Sequence, residues 1–298
     1  MREAKKSTQP GFVSQTTVIP HITKEEKNLK ALENSPNNLM KNGKPIWSAT
    51  RIEVCQFLWG EGLIAPGDMN FLESLVKPFA LNPAMSVLDL SAGLGTLSRH
   101  MVDEYGVWVT GYDNSEFLAA IANSLSVKLG YEKQAKISYM NFENLVFDKK
   151  YDRVFCKDRL FLVMDKVVLF DRIENVLKEG GQFLFIDFLL GDDAYDKDII
   201  ADWEKNEPFP PTLSTLKETL NELKQRNFDI RITLDLTKDY EKMIKMQVSA
   251  FLNYLQTVSM ADETKEIVSF ELDLWMSRLK AMSGGLKVYK IHVLKSRI

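Results

Sequence analysis

Cysteine is nearly absent: Cys55 and Cys156 are the only two among 298 residues. They lie far apart and outside any CxxC spacing, which excludes a disulfide framework and a cysteine zinc site and makes a reducing, cytoplasmic compartment the expectation. Histidine is scarce as well. His21, His100 and His292 are too few and too scattered for a histidine metal centre or a Ser-His-Asp triad, so no metal is expected and the chemistry must lean on a cofactor or on other side chains. No uncharged apolar run approaches the roughly 18 to 20 residues that span a bilayer, and the opening MREAKKSTQPGF lacks the apolar core of a secretory signal. Neither charge dominates: 38 basic residues face 41 acidic ones for a net −3, which argues against a basic groove and a nucleic-acid partner.

Against these absences stand 45% hydrophobic and 27% charged residues, enough to bury a substantial core. Residues 1–44 carry eight Lys/Arg against four acids, a net +4 that leaves −7 for the rest of the chain. They read as a polar, basic extension; a solvated arm is the simpler reading, and a peripheral membrane contact stays open beside it. A helix is expected from Thr50 to Trp59, on Ile52, Cys55, Leu58 and Trp59, and GEGLIAPGD then breaks it. A second helix is expected over 69–80. From residue 85 strands and helices alternate: strands at 85–91, 107–113, 136–140, 151–156 and 182–188, with helices at 115–129 and 167–178. That alternation means a parallel sheet with right-handed crossovers. A polar, proline-bearing stretch ending in Pro208, Pro210 and Pro211 then precedes a helix striped by Leu213, Leu216, Leu220 and Leu223. Strands at 231–236 and 286–294 bracket two amphipathic helices whose apolar stripes, Ile244 to Leu255 and Val268 to Leu279, read as core.

The chemistry concentrates at the first strand. MSVLDLS runs into the turn Gly93-Leu94-Gly95 and then a helix, so backbone N–H groups can approach a ligand where the helix N-terminus favours negative charge. Asp113, 20 residues beyond Gly93 at the end of the next strand, suits the two hydroxyls of an adenosine ribose. NAD and S-adenosylmethionine both offer those hydroxyls. Asp89 separates them: a carboxylate four residues before Gly93 can accept from the α-amino group of an amino-acid cofactor, whereas it would repel a pyrophosphate. The absence of a histidine acid near the sheet further disfavours a dehydrogenase.

With these residues in place, the sequence resembles the class I S-adenosylmethionine-dependent methyltransferases. VLDLSAGLG looks like their first motif, with Ser91 where the first glycine is expected. The resemblance implies an α/β, Rossmann-like fold with a mostly parallel seven-stranded sheet, an antiparallel C-terminal hairpin and a helical cap. It implies S-adenosylmethionine as cofactor, with Asp113 and its neighbour Asn114 at the ribose, Glu143 at the adenine amino group and Asn144 beside the base. Lys157 and Asp158 would close the other side; the alternative for Glu143 and Asp158 is that they are plain strand-end turn residues. A narrower likeness, carried by FLWGEGLIAPGD and CKDRLFLV, is to the phosphoethanolamine group of small-amine N-methyltransferases. There the segment after the N-terminal helix folds over the cofactor, here Gly60, Glu61, Ile64 and Ala65. The implied division is an extension at 1–44 and a methyltransferase domain at 45–298. Within it, 45–84 form the lid, 85–236 with 283–298 the cofactor-binding core, and 237–282 the cap.

The departures from that group run from polar to apolar. Its catalytic tyrosine and histidine fall on Trp47 and Leu162, its phosphate-holding tyrosine on Phe188, and its Arg/Tyr cluster in the region Glu207 to Pro210. Loss of cationic and phenolic donors disfavours phosphoethanolamine and leaves an aromatic-walled pocket for a small-molecule or lipid-like acceptor. Trp47, Trp59, Leu162 and Phe188 are expected to wall it, with ordinary core packing as the alternative for the aromatics. If a proton must leave the acceptor, Asp158, Glu61 and Asp187 are the candidate bases, Asp158 first. The reading from another class is a methyltransferase-like subunit that binds the cofactor without methylating and serves assembly.

Overall fold

The computed structural model describes residues 32–33, 35, 39–41, 44–192 and 195–296. Most of the basic extension read at 1–44 lies outside these. Of its described residues, Glu33 accepts the Ala49 N–H at 2.9 Å and Lys41 donates to the Glu207 carbonyl at 2.7 Å, so both touch the body.

Seven strands make one sheet: β1 Ser86–Asp89, β2 Trp108–Asp113, β3 Ala135–Tyr139, β4 Tyr151–Lys157, β5 Leu177–Leu190, β6 Phe228–Asp235 and β7 Leu286–Lys295. Their order is β3-β2-β1-β4-β5-β7-β6. β1 to β5 are parallel, and β7 inserts antiparallel between β5 and β6. The order reverses between β1 and β4, and a ligand belongs in the crevice beyond the carboxyl ends of those strands. Burial on both faces explains the near-continuous apolar runs VFC and FLFI in β4 and β5.

Helices follow where the sequence supplies a stop and a stripe. α1 (Ala49–Trp59) is capped by Ser48 and α2 (Met69–Val76) by Asp68; a short 3₁₀ turn, Lys77–Phe79, completes the expected second helix. α3 (Thr96–Tyr105) springs from the glycine turn, α4 (Glu116–Lys128) is capped by Ser115, and α5 (Lys166–Val176) by Asp165. The long helices α8 (Thr237–Leu255) and α9 (Asp262–Ser283) bury Ile244, Val248, Phe251, Val268, Trp275 and Leu279, which makes their stripes core.

Four local expectations need correction. The stretch before Pro208 contains a helix, α6 (Lys197–Asn206), capped by Asp196 and burying Ile200 and Trp203; its many charges mask two anchors one turn apart. The leucine-striped helix, α7, begins at Leu216 and leaves Leu213 outside, because Thr215 and Glu218 form a capping box. β5 starts at Leu177, inside the expected end of the preceding helix, and irregular pairing near Tyr151 and Arg153 carries it past Gly180 and Gly181. β6 starts at Phe228, three residues early, because its pairing with β7 reaches back to Lys295.

Candidate functional site

Two carboxylates organise the glycine turn. Asp89, at the end of β1 and 2% exposed, accepts the Ser91 N–H at 3.0 Å and the Ser98 hydroxyl at 2.7 Å. Burial pushes it up to about 6, and the bonds from Ser98 and Ser91 oppose that rise. Asp113, at the end of β2 and fully buried, accepts the N–H of Gly93 at 3.2 Å and of Ser115 at 2.9 Å. Burial raises it too, and the Arg159 guanidinium 3.6 Å away pulls it back. Gly93 and Gly95 have φ of 53° and 79°, in the left-handed region. A Cβ on Gly95 would lie 2.2 Å from Ile137 Cδ1, and one on Gly93 3.3 Å from Ile64. Ser91 keeps its side chain useful, since its Oγ accepts the Lys157 N–H at 2.8 Å and joins the turn to the end of β4.

The segment after α1 lies over this turn. Ile64 packs against Gly93, Ala65 is partly buried against the core, and Thr96 donates to the Gly62 carbonyl at 2.7 Å. Glu61 stands exposed on the same segment. Glu143 follows β3 and accepts the Met164 N–H at 3.0 Å, Asn144 is exposed beside it, and Asn114 Oδ1 is buried without a hydrogen-bond partner.

Beyond β4 the chain turns sharply at Asp158, whose φ of 53° is uncommon for a residue with a side chain. Its carboxylate is ion-paired with Lys157 and accepts the Tyr240 hydroxyl at 3.0 and 3.1 Å. Tyr240 is completely buried, edge-on to Phe188 and Phe71, with Lys157 Nζ 5.3 Å above its ring; burial and then the Asp158 charge push the phenol well up. Asp187 lies behind and accepts the N–H groups of Leu160, Phe161 and Phe188, so it anchors the turn that carries Asp158. Burial, then the Asp158 charge, lifts it to about 7.

The four expected wall residues fall in different surroundings. Phe188 is fully buried among Phe161, Trp203 and Tyr240. Trp59 is 1% exposed and meets Trp275 edge-on. Trp47 lies over the Arg51 guanidinium at 4.2 Å, and Leu162 is partly buried in the turn after Asp158. Two groups that the sequence reading missed link these rings. Glu207 grips Arg278 with bonds of 2.6 and 2.8 Å, and Arg278 stacks over Trp275, Phe188 and Phe161 at 4.4, 5.6 and 5.9 Å. Tyr240 carried a signal in sequence, a lone phenol on the buried stripe of α8, where an unpartnered hydroxyl is costly. Among the described residues no cluster of His, Cys, Asp and Glu suits a metal ion.

A protein-family model described as mycolic acid cyclopropane synthetase matches residues 67–294. Phosphoethanolamine N-methyltransferase 2 of Caenorhabditis elegans is 32% identical over 145 residues, 47% of this chain and 32% of that protein. Phosphoethanolamine N-methyltransferase 3 of Arabidopsis thaliana is 23% identical over 238 residues, 80% of this chain and 48% of that protein. The chain thus spans about a third to a half of the length of these relatives. Among solved structures, phosphoethanolamine N-methyltransferase 2 of Haemonchus contortus, in complex with phosphomonomethylethanolamine and S-adenosylhomocysteine, matches with a TM-score of 0.70 at 21% identity. The match covers 85% of this chain and 59% of that one and concerns the fold.

Proposed function

The chain belongs to the mycolic acid cyclopropane synthetase family and has the fold of class I S-adenosylmethionine-dependent methyltransferases, and from that premise we propose that it methylates a small, aromatic-walled acceptor on nitrogen or oxygen. The observation that carries the reading is the pair Asp89 and Asp113 closing on one glycine turn, with the Gly93 N–H on Asp113. The residues suit the cofactor. Asp113 offers acceptors to ribose hydroxyls, Asp89 to an α-amino group, and the unpartnered Asn114 Oδ1 adds a buried acceptor beside them. Ile64 covers the turn at Gly93, and Ala65 is partly buried next to it in the chain.

S-adenosylmethionine, when bound, supplies an electrophilic methyl group for in-line displacement, so positioning provides much of the acceleration. Asp158 takes the acceptor's proton where one must leave. Tyr240 donates to Asp158 and Lys157 pairs with it, which together hold the carboxylate in one orientation. Asp187 fixes the turn beneath.

Phosphoethanolamine is disfavoured as the acceptor because the nearby cations are already committed. Lys157 pairs with Asp158 and Arg278 with Glu207, Lys166 donates to the carbonyls of Val163 and Thr212, and Arg159 stands 3.6 Å from Asp113. A phosphate would have to break one of these pairs. The alternative, a binding subunit that no longer methylates, draws on the burial of Trp59 and Phe188, which are packed on protein neighbours. Incubation with labelled S-adenosylmethionine and a panel of small amines and phenols separates the two. Label on an amine or phenol, lost in Asp158→Asn, is expected; tight cofactor binding with no transfer sinks the enzymatic reading.

A further inference from the structure

The Arg159–Asp113 contact differs from the other buried ion pairs. Arg51 meets Glu271 at 2.5 Å and also donates to the Ile46 carbonyl, and Arg278 holds Glu207 through two bonds. Arg159 stands 3.6 Å from Asp113, beyond hydrogen-bond length, and its Nε is buried without any partner. It is a charge held near a carboxylate, not a geometry-matched bridge.

Its path matters more than its length. Arg159 follows β4, Asp113 ends β2, and β1 lies between those strands. The side chain therefore passes over the carboxyl end of β1, where the glycine turn begins, and through the crevice that receives a ligand. There its charge stands 3.6 Å from the carboxylate that ribose hydroxyls would use. Asp113 has no solvent exposure, so without a ligand its charge needs a compensating partner. The two backbone N–H donors, from Gly93 and Ser115, supply part of that compensation. Arg159 supplies the rest.

We propose that Arg159 sets the affinity of the ribose site by occupying Asp113 in the ligand-free protein, so that a nucleoside binds only in competition with its guanidinium. The proposal rests on the placement of the cofactor at Asp113. A contact that must open before binding reduces the competent population, and the apparent affinity falls in proportion. Removing the guanidinium therefore tightens nucleoside binding and, in the same stroke, destabilises the ligand-free protein by leaving Asp113 uncompensated.

The experiment is titration of the full chain with S-adenosylhomocysteine and with adenosine, in wild type, Arg159→Met and Asp113→Ala, together with thermal melts with and without ligand. Arg159→Met is expected to bind both ligands about three- to tenfold more tightly. Its melting temperature should fall without ligand, and the shift on adding ligand should widen. Equal or weaker binding by Arg159→Met overturns the proposal, as does an equal drop in melting temperature with and without ligand, which marks a purely structural residue. Failure of the underlying placement looks different: Asp113→Ala would then bind like wild type, whatever Arg159→Met does, and both ideas fall.

Discussion

Asp89 and Asp113 stand on adjacent parallel strands and close on one turn, all within 25 consecutive residues. Asp158 instead meets Tyr240 across 82 residues of chain, and Glu207 meets Arg278 across 71. One end of the crevice is written locally and the other is assembled by packing. The local end relies on backbone: positive φ at two glycines and N–H groups directed at carboxylates. The assembled end relies on side chains from α8, α9 and the loop after α6, each of which could be exchanged without disturbing the glycine turn. On the proposed function, that separation would let the acceptor end vary while the cofactor end is kept.

Unmaking the assembled end should leave the local one intact. Glu207→Ala leaves Arg278 buried without its partner and is expected to cost about 3–5 kcal/mol in urea unfolding. The folded fraction should still bind S-adenosylhomocysteine with wild-type affinity. A parallel loss of cofactor affinity would show that the two ends are not separable. Tyr240→Phe removes one hydrogen bond to a buried carboxylate, for about 1.5–3 kcal/mol of stability, again with cofactor affinity kept.

Asp187 offers a test by titration. Its folded-state value of about 7 lies above the ordinary carboxylate value of about 4. Between those limits the folded protein holds a proton that the unfolded chain has released. Its contribution to stability is therefore present at low pH and falls as pH rises through this window. Asp187→Asn should flatten that part of the decline in unfolding free energy measured from pH 4 to 7; an unchanged slope would remove the buried, protonated anchor from the account. The smallest expected effect belongs to the local end. Gly93→Ala places a Cβ on a left-handed residue, costing about 1–2 kcal/mol, and pushes on Ile64. Cofactor affinity should drop with it, in contrast to Glu207→Ala.

The same division explains what could be read from sequence. The parallel strands and the glycine turn were legible because period, punctuation and a 20-residue spacing all lie within short windows, whereas the antiparallel edge followed from the family resemblance. The apolar stripes of α8 and α9 were legible as core for the same reason. Ser91 could be placed in the motif, but not the bond from the Lys157 N–H that ties it to β4. The helix Lys197–Asn206 escaped because Ile200 and Trp203 sit among charges. Tyr240 and Arg278 escaped because nothing in one sequence pairs residues that far apart. Both are engaged by carboxylates, Tyr240 by Asp158 and Arg278 by Glu207.

Calorimetric titration with S-adenosylhomocysteine asks whether Asp113 and the glycine turn hold an adenosine-bearing cofactor. Wild type should bind one equivalent, and Asp113→Ala, having lost the charged acceptor for the ribose hydroxyls, should bind at least about tenfold more weakly. Equal affinity in the two proteins, or binding of NADH with none of S-adenosylhomocysteine, would contradict that placement.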